Sequence, residues 1–176
     1  MEEHDYSGVR FTVAVTLEKL RDTIKIDIST GDEITPSAIE FSYPMMFDDE
    51  ELYIWSYNLE TMLAEKLETV IARSTLNTRM RDFYDIHILW SEKSDMINIE
   101  TLRRAIINVA RKRGTLELFD NTDEILDDIA ESDYLRNNWS NYRKGSYYVG
   151  DLEWTDVLET TVCILKNEIG TISVLV

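Results

Sequence analysis

The stretch Asn58-Leu59-Glu60-Thr61-Met62-Leu63-Ala64-Glu65-Lys66-Leu67-Glu68-Thr69-Val70-Ile71-Ala72-Arg73 decides the fold. Leu59, Met62, Leu63, Leu67 and Val70 recur at helical spacing and form one apolar stripe. Asn58, just ahead of the stripe, is a residue type that accepts a hydrogen bond from the free amides of a first helical turn. Lys66 falls in the middle of the stripe. An ammonium there needs an anion or a path to solvent, because burying it alone is costly. The spacing predicts a helix over 58–73 and leaves three readings for its lysine: a buried ion pair, a snorkelling side chain, or contact with an anionic ligand.

Helical periodicity continues towards the C terminus, with helices predicted over 79–92, 99–113, 121–137 and 153–168 and Asn77 as the expected cap of the first of these. Towards the N terminus the period changes. Val9, Phe11, Val13, Val15 and Leu17 alternate with Arg10, Thr12, Ala14 and Thr16, which is the pattern of a half-buried strand. After a polar break over 18–22, Ile24, Ile26 and Ile28 alternate with Lys25, Asp27 and Ser29, and the two segments read as an antiparallel pair. Thr30-Gly31-Asp32 and Pro36 supply turn chemistry, and one or two further strands are expected within 38–46 and 51–55. The fold class is therefore α+β: a small antiparallel or mixed sheet over 1–57, then a mainly helical part over 58–176.

The 176 residues carry 34 acidic and 18 basic side chains, a formal net charge of −16. Such a surface repels polyanions unless a basic pocket overrides the mean field, so general nucleic-acid binding is not expected. The single cysteine, Cys163, lies in an apolar stretch and has no partner for an internal disulfide, which fits a reducing cytoplasm. No basic and apolar leader opens the chain and no apolar run is long enough to span a bilayer, so no membrane association is expected.

Two further polar residues stand out of pattern. In the helix predicted over 79–92, Arg79, Phe83, Ile86, Leu89 and Trp90 define a broad face in which Asp82 projects, with Asp85 nearer the polar side. Ordinary helical ion pairs, Arg79 with Asp82 and Arg81 with Asp85, would account for both acids. Asp27 is a carboxylate on a strand flanked by isoleucines, where acids are depleted. It marks either an exposed sheet face or a metal-dependent phosphoryl-transfer site, which uses carboxylates mounted in this way. The run Arg111-Lys112-Arg113-Gly114 is explained by cations offsetting a helix dipole ahead of a helix-ending glycine. His4 and His87 lack the spacing of a zinc site, and His87 is expected to pack beside Phe83 and Trp90.

Taken in order, these strings resemble the motifs of the AbiEii/AbiGii toxin family. Lys25-Ile26-Asp27-Ile28-Ser29-Thr30-Gly31-Asp32 resembles its second motif, with Tyr6-Ser7-Gly8-Val9-Arg10 similar to the strand entry before it. Leu63-Ala64-Glu65-Lys66-Leu67-Glu68-Thr69, followed by Arg73, is similar to the third motif, and Arg79-Met80-Arg81-Asp82-Phe83-Tyr84-Asp85 to the fourth. The resemblance implies a polymerase-beta-like, magnesium-dependent nucleotidyltransferase that moves a nucleoside monophosphate from an NTP to an acceptor such as tRNA. It also implies a place in a toxin–antitoxin or phage abortive-infection system, with a cognate antitoxin.

On that resemblance Asp27 would be the third strand carboxylate, orienting the acceptor hydroxyl and supporting the metal. Lys66 would face the triphosphate and Asp82 would be a site carboxylate. Lys25 and Arg79 would join Lys66 in binding the nucleotide, with Arg81 and Asp85 in support. The family's first motif, a Gly-Ser or Gly-Gly turn leading to an acid-x-acid strand, has no match before Asp27. Gly145-Ser146 with Asp151-Leu152-Glu153 is not a substitute, since those acids are better explained as opening a helix towards Trp154. The expectation is thus an N-terminally truncated member, weak or inactive in transfer. The alternatives are a module that binds an antitoxin or partner chain, or a homodimer joined at an open sheet edge, and a protein that binds nucleotides without turnover.

Overall fold

The computed structural model describes residues 9–28, 30–47, 49–170 and 172. His4, the Tyr6-Ser7-Gly8 part of the strand entry and Ser29 lie outside the described residues. The fold is α+β, with the chain divided into two compact units, Met1–Asp32 and Glu33–Val176.

The first unit is an antiparallel hairpin of β1 (Val9–Leu17) and β2 (Leu20–Ile28), in register from Val9 opposite Ile28 to Leu17 opposite Leu20. Its turn is only Glu18-Lys19, with Glu18 at φ 52. Two-residue hairpin turns need such a positive φ to match the twist of the strands. The polar break expected over 18–22 is therefore shorter than the sequence suggests: Arg21, Asp22 and Thr23 continue the strand and pair with Thr16, Val15 and Ala14. Strand alternation puts Phe11, Val13, Ile24 and Ile26 on one side and Arg10, Thr12, Lys25 and Asp27 on the other.

The second unit opens with a hairpin of β3 (Ile39–Pro44) and β4 (Glu51–Ser56), also antiparallel. Among the described residues six α-helices follow: α1 (Leu59–Arg73), α2 (Met80–Lys93), α3 (Ile99–Arg113), α4 (Thr122–Glu131), α5 (Asp133–Gly145) and α6 (Trp154–Val162). The last runs on in wider π-type turns over Cys163–Ile169. Asn58 caps α1, its Oδ1 accepting from the Thr61 amide at 2.9 Å. Asn77 caps one step early, accepting from the Arg79 amide at 2.8 Å before α2 begins at Met80.

The helix expected over 121–137 is two helices. Ser132 takes extended backbone (φ −71, ψ 105), ends α4, and caps α5 by accepting from the Leu135 amide. Its hydroxyl offers the amides of a new helix a partner that an uninterrupted helix would not need. At the start of α6, the side chain of Glu153 accepts from the third-residue amide while Asp156 accepts from the Glu153 amide, a reciprocal capping box. The acids near Trp154 therefore serve the helix start.

One apolar core fills the helical unit. Leu63, Leu67 and Val70 of α1, Phe83 and Ile86 of α2, Leu102 and Ile106 of α3, and Trp139 of α5 are fully or almost fully buried. Phe83 meets Trp154 edge to face at 5.0 Å, the arrangement that aromatic quadrupoles favour. A polar knot sits where the chain enters this unit. The Thr35 amide donates to Thr61 Oγ1 at 3.0 Å, Asn58 Nδ2 donates to the Thr35 carbonyl at 2.7 Å, and Asn108 Nδ2 donates to Thr35 Oγ1 at 3.0 Å. These bonds tie the segment before β3 to α1 and α3, and they satisfy polar groups that burial would otherwise penalise. Among the described residues no helix is long and apolar enough to cross a membrane.

Candidate functional site

Helix α1 presents Met62, Glu65, Lys66 and Thr69 on one side, at steps of three, one and three residues, while Leu63, Leu67 and Val70 turn into the core. That side forms the floor of an open pocket of about 360 Å³. Tyr57 joins it from the end of β4, Arg79 and Asp82 from the start of α2, and Arg113 from the end of α3. All of these belong to the helical unit.

Lys66 sits at the edge of its stripe, 21% exposed, with its ammonium between two carboxylates of α2. The nearer is Asp85, 2.7 Å from Nζ, and the other is Asp82 at 3.4 Å. The arrangement realises the ion-pair reading of this lysine and also lines the pocket. Arg81 reaches Asp85 at 3.8 Å, the expected pair along the helix, but Lys66 is the closer partner. Asp82 has one oxygen directed at Lys66, while its other, Oδ2, is buried without a hydrogen-bond partner among the described residues. A carboxylate lone pair left in that state is unfavourable and is suited to a donor from a ligand. Arg79, exposed at the pocket mouth, forms no ion pair among the described residues.

The fourth charged wall was not legible as a site residue. The place of Arg113 in the last turn of α3 suits the dipole of its own helix, and Gly114 does end that helix in the left-handed conformation at φ 70. Yet the guanidinium reaches across to α1. It pairs closely with Glu68, which is 2% exposed, and at 3.4 Å with Glu65. Thr115 Oγ1 donates to the other Glu68 oxygen at 2.7 Å. Glu65 and Glu68 stand in the sequence only as part of the Leu63–Thr69 string. The one available signal was a glutamate at position 68 on the buried side of a helix, which requires a cation from elsewhere in the chain.

Asp27 belongs to the hairpin unit. Its carboxylate is held by Arg10, its cross-strand partner, with Nε to Oδ1 at 2.5 Å and Nη2 to Oδ2 at 2.8 Å. The hydrogen bonds from Arg10 lower its pKa; desolvation opposes them, and the charges of Arg10 and Lys25 lower it further. Nucleotidyl transfer implies a divalent metal. Among the described residues no cluster of three or more His, Cys, Asp or Glu side chains is placed to hold one. Both Asp27 oxygens are engaged by a guanidinium, so this donor set does not fit a metal.

His87 meets Thr160 Oγ1 at 2.8 Å through Nδ1, linking α2 to α6 away from the pocket lining. Cys163 is a free, half-buried thiol at the start of the π-type turns.

No curated protein and no solved structure matches the chain. A family model described as "Nucleotidyl transferase AbiEii toxin, Type IV TA system" matches residues 1–160, a span that takes in both hairpins, the strings from Lys25 to Asp85 and every residue lining the pocket. The chain thus belongs to the AbiEii family of nucleotidyl transferase toxins of type IV toxin–antitoxin systems.

Proposed function

We propose that the pocket between α1, α2 and α3 takes the polyphosphate of an NTP, and that the chain acts in transfer of a nucleoside monophosphate to an acceptor such as tRNA. The observation that carries this reading is that Lys66 of α1 and Arg79 and Asp82 at the start of α2 line one pocket in a chain whose net charge is −16. Lys66 and Arg79 would offset charge building on the leaving pyrophosphate. The buried Oδ2 of Asp82 would accept a hydrogen bond from a hydroxyl or amino group of the bound nucleotide or acceptor. Asp85 and Arg81 would hold Lys66 in place from behind.

Asp27 and Lys25 keep their proposed parts in orienting the acceptor and binding the nucleotide. The family supports magnesium as the cofactor, a function in phage abortive infection and a cytoplasmic setting. The described donor set does not fit a metal, and transfer by this chain alone is proposed to be weak.

Calorimetry with ATP and magnesium tests the pocket. Wild type is expected to bind at up to millimolar NTP, with binding reduced by Arg79→Ala and lost in Lys66→Ala. No binding by wild type would overturn the reading. Radiolabelled transfer from each NTP to bulk tRNA, compared among wild type, Asp27→Asn and Lys25→Ala, tests the acceptor and the remaining roles. Vigorous transfer by wild type would overturn the proposed weakness.

A second reading has its own observation. The hairpin presents Val9, Phe11, Ile24, Ile26 and Ile28 as exposed apolar side chains, a composition suited to contact with an antitoxin or a second copy of the chain. Sedimentation of the chain alone and with its antitoxin tests it; a lone monomer in both would remove it.

A further inference from the structure

We infer that Arg113 is a phosphate-binding residue of the same pocket, held ready by Glu68 and screened by Glu65 until a polyphosphate displaces that carboxylate. The inference rests on the proposed nucleotide site and adds a third cation, from a third helix, that none of the family motifs quoted above contains.

The two acids around Arg113 differ in kind. Glu68 is buried, 2% exposed, and both of its oxygens are spoken for, one by Arg113 Nη1 and one by the Thr115 hydroxyl. It cannot leave without stranding a charge, so it acts as a fixed anchor for one edge of the guanidinium. Thr69 Oγ1 and the Glu65 carbonyl lie near the same Nη1, at 3.3 and 3.4 Å. Glu65 lines the pocket, is 27% exposed, and faces Nη2 at 3.4 Å, longer than the range of a charge-assisted bond to a phosphate oxygen. A phosphate oxygen entering the pocket can replace it at shorter range, and the rigid, bidentate geometry of arginine suits that ligand better than lysine's point charge.

This gives the pocket a division of labour. Lys66, held between Asp82 and Asp85, meets a polyphosphate from the pocket floor, while Arg79 and Arg113 approach it from the N-terminal end of α2 and the C-terminal end of α3. The class of ligand is a linear polyphosphate, free or as part of a nucleoside triphosphate.

The test is calorimetric titration of the whole chain with inorganic tripolyphosphate and, separately, with ATP at low salt. Glu65→Gln removes the screening charge and leaves the Glu68 anchor intact, so it is expected to tighten tripolyphosphate binding by roughly tenfold, the scale of one charge-assisted hydrogen bond. Arg113→Lys keeps a cation beside Glu68 and loses the fork, so it is expected to bind roughly tenfold more weakly with an unchanged circular dichroism spectrum. Unaltered or weaker binding by Glu65→Gln, alongside weaker binding by Arg79→Ala, would overturn the role of Arg113 and leave the nucleotide pocket standing. Failure of wild type to bind either ligand would overturn both.

Discussion

The Lys66 ammonium stands 2.7 Å from a carboxylate oxygen of Asp85, closer than to any other acid among the described residues. The pair crosses from α1 to α2 and fastens the pocket floor to its wall. Because Lys66, Asp82 and Asp85 are each 15–24% exposed, breaking the cluster leaves charge in a partly dry setting. Lys66→Ala is expected to lower stability by about 1–2 kcal/mol, below the cost for a fully buried pair because solvent reaches these groups. Urea denaturation checks this, and a midpoint unchanged from wild type would show that the cluster contributes no net stability.

Glu68 and Arg113 join α1 to the end of α3, and here burial is nearly complete on the acid side. Arg113→Met would strand the Glu68 carboxylate with only the Thr115 hydroxyl, at an expected cost of about 3–5 kcal/mol. The double variant Arg113→Met with Glu68→Gln removes the stranded charge, so it is expected to recover a large part of that loss. A double-mutant cycle by denaturant titration gives the coupling; additive losses would contradict the pairing.

Arg10 holds the Asp27 carboxyl below the ordinary aspartate value of 3.8, first by hydrogen bonding and also by its charge. A depressed folded-state pKa means that the contribution to stability is present above the unfolded value and is lost as pH falls through the folded one. Carboxyl chemical shifts followed through an acid titration are expected to place Asp27 below 3.8 in wild type and to return it upward in Arg10→Ala. An Asp27 midpoint that ignores the arginine would contradict this assignment.

Tyr142 and Tyr148 share a hydroxyl–hydroxyl contact of 3.0 Å beside α2. Burial, then the bond to Tyr148, raises the Tyr142 pKa, whereas bonds from Tyr142 and Ser146 lower that of Tyr148. Ultraviolet difference titration is expected to find one early-ionising tyrosine, lost upward towards the ordinary value in Tyr142→Phe. Retention of the early transition in that variant would reassign its cause.

Much of this architecture is written in the period of the apolar residues. The β1–β2 pair follows from alternation alone, and α1 from its stripe and the Asn58 cap. The misread segments share one feature, a local signal weaker than the pattern around it. Arg21-Asp22-Thr23 looks like a break because it is polar, yet residues near a hairpin tip can stay in a strand without being buried. Ser132 is hidden because Leu126 and Ile129 before it, and Leu135 and Trp139 after it, keep an apolar rhythm across two helices. In the pocket, Lys66 and Asp82 are visible as polar residues among apolar ones, and Arg79 through the motif that the resemblance supplies. Arg113 is not, because a cation near a helix end has an ordinary explanation and its partner Glu68 is 45 positions away, beyond any spacing rule.

The Thr35 knot shifts the place where the chain becomes rigid. Its amide is fastened to a side chain of α1 although it lies in a loop, and its carbonyl and hydroxyl are held from two helices. In hydrogen exchange this loop proton would behave like one from the middle of a helix and open only when α1 and α3 come apart. A protease or a domain insertion would then meet resistance just before β3, well ahead of the first helical residue.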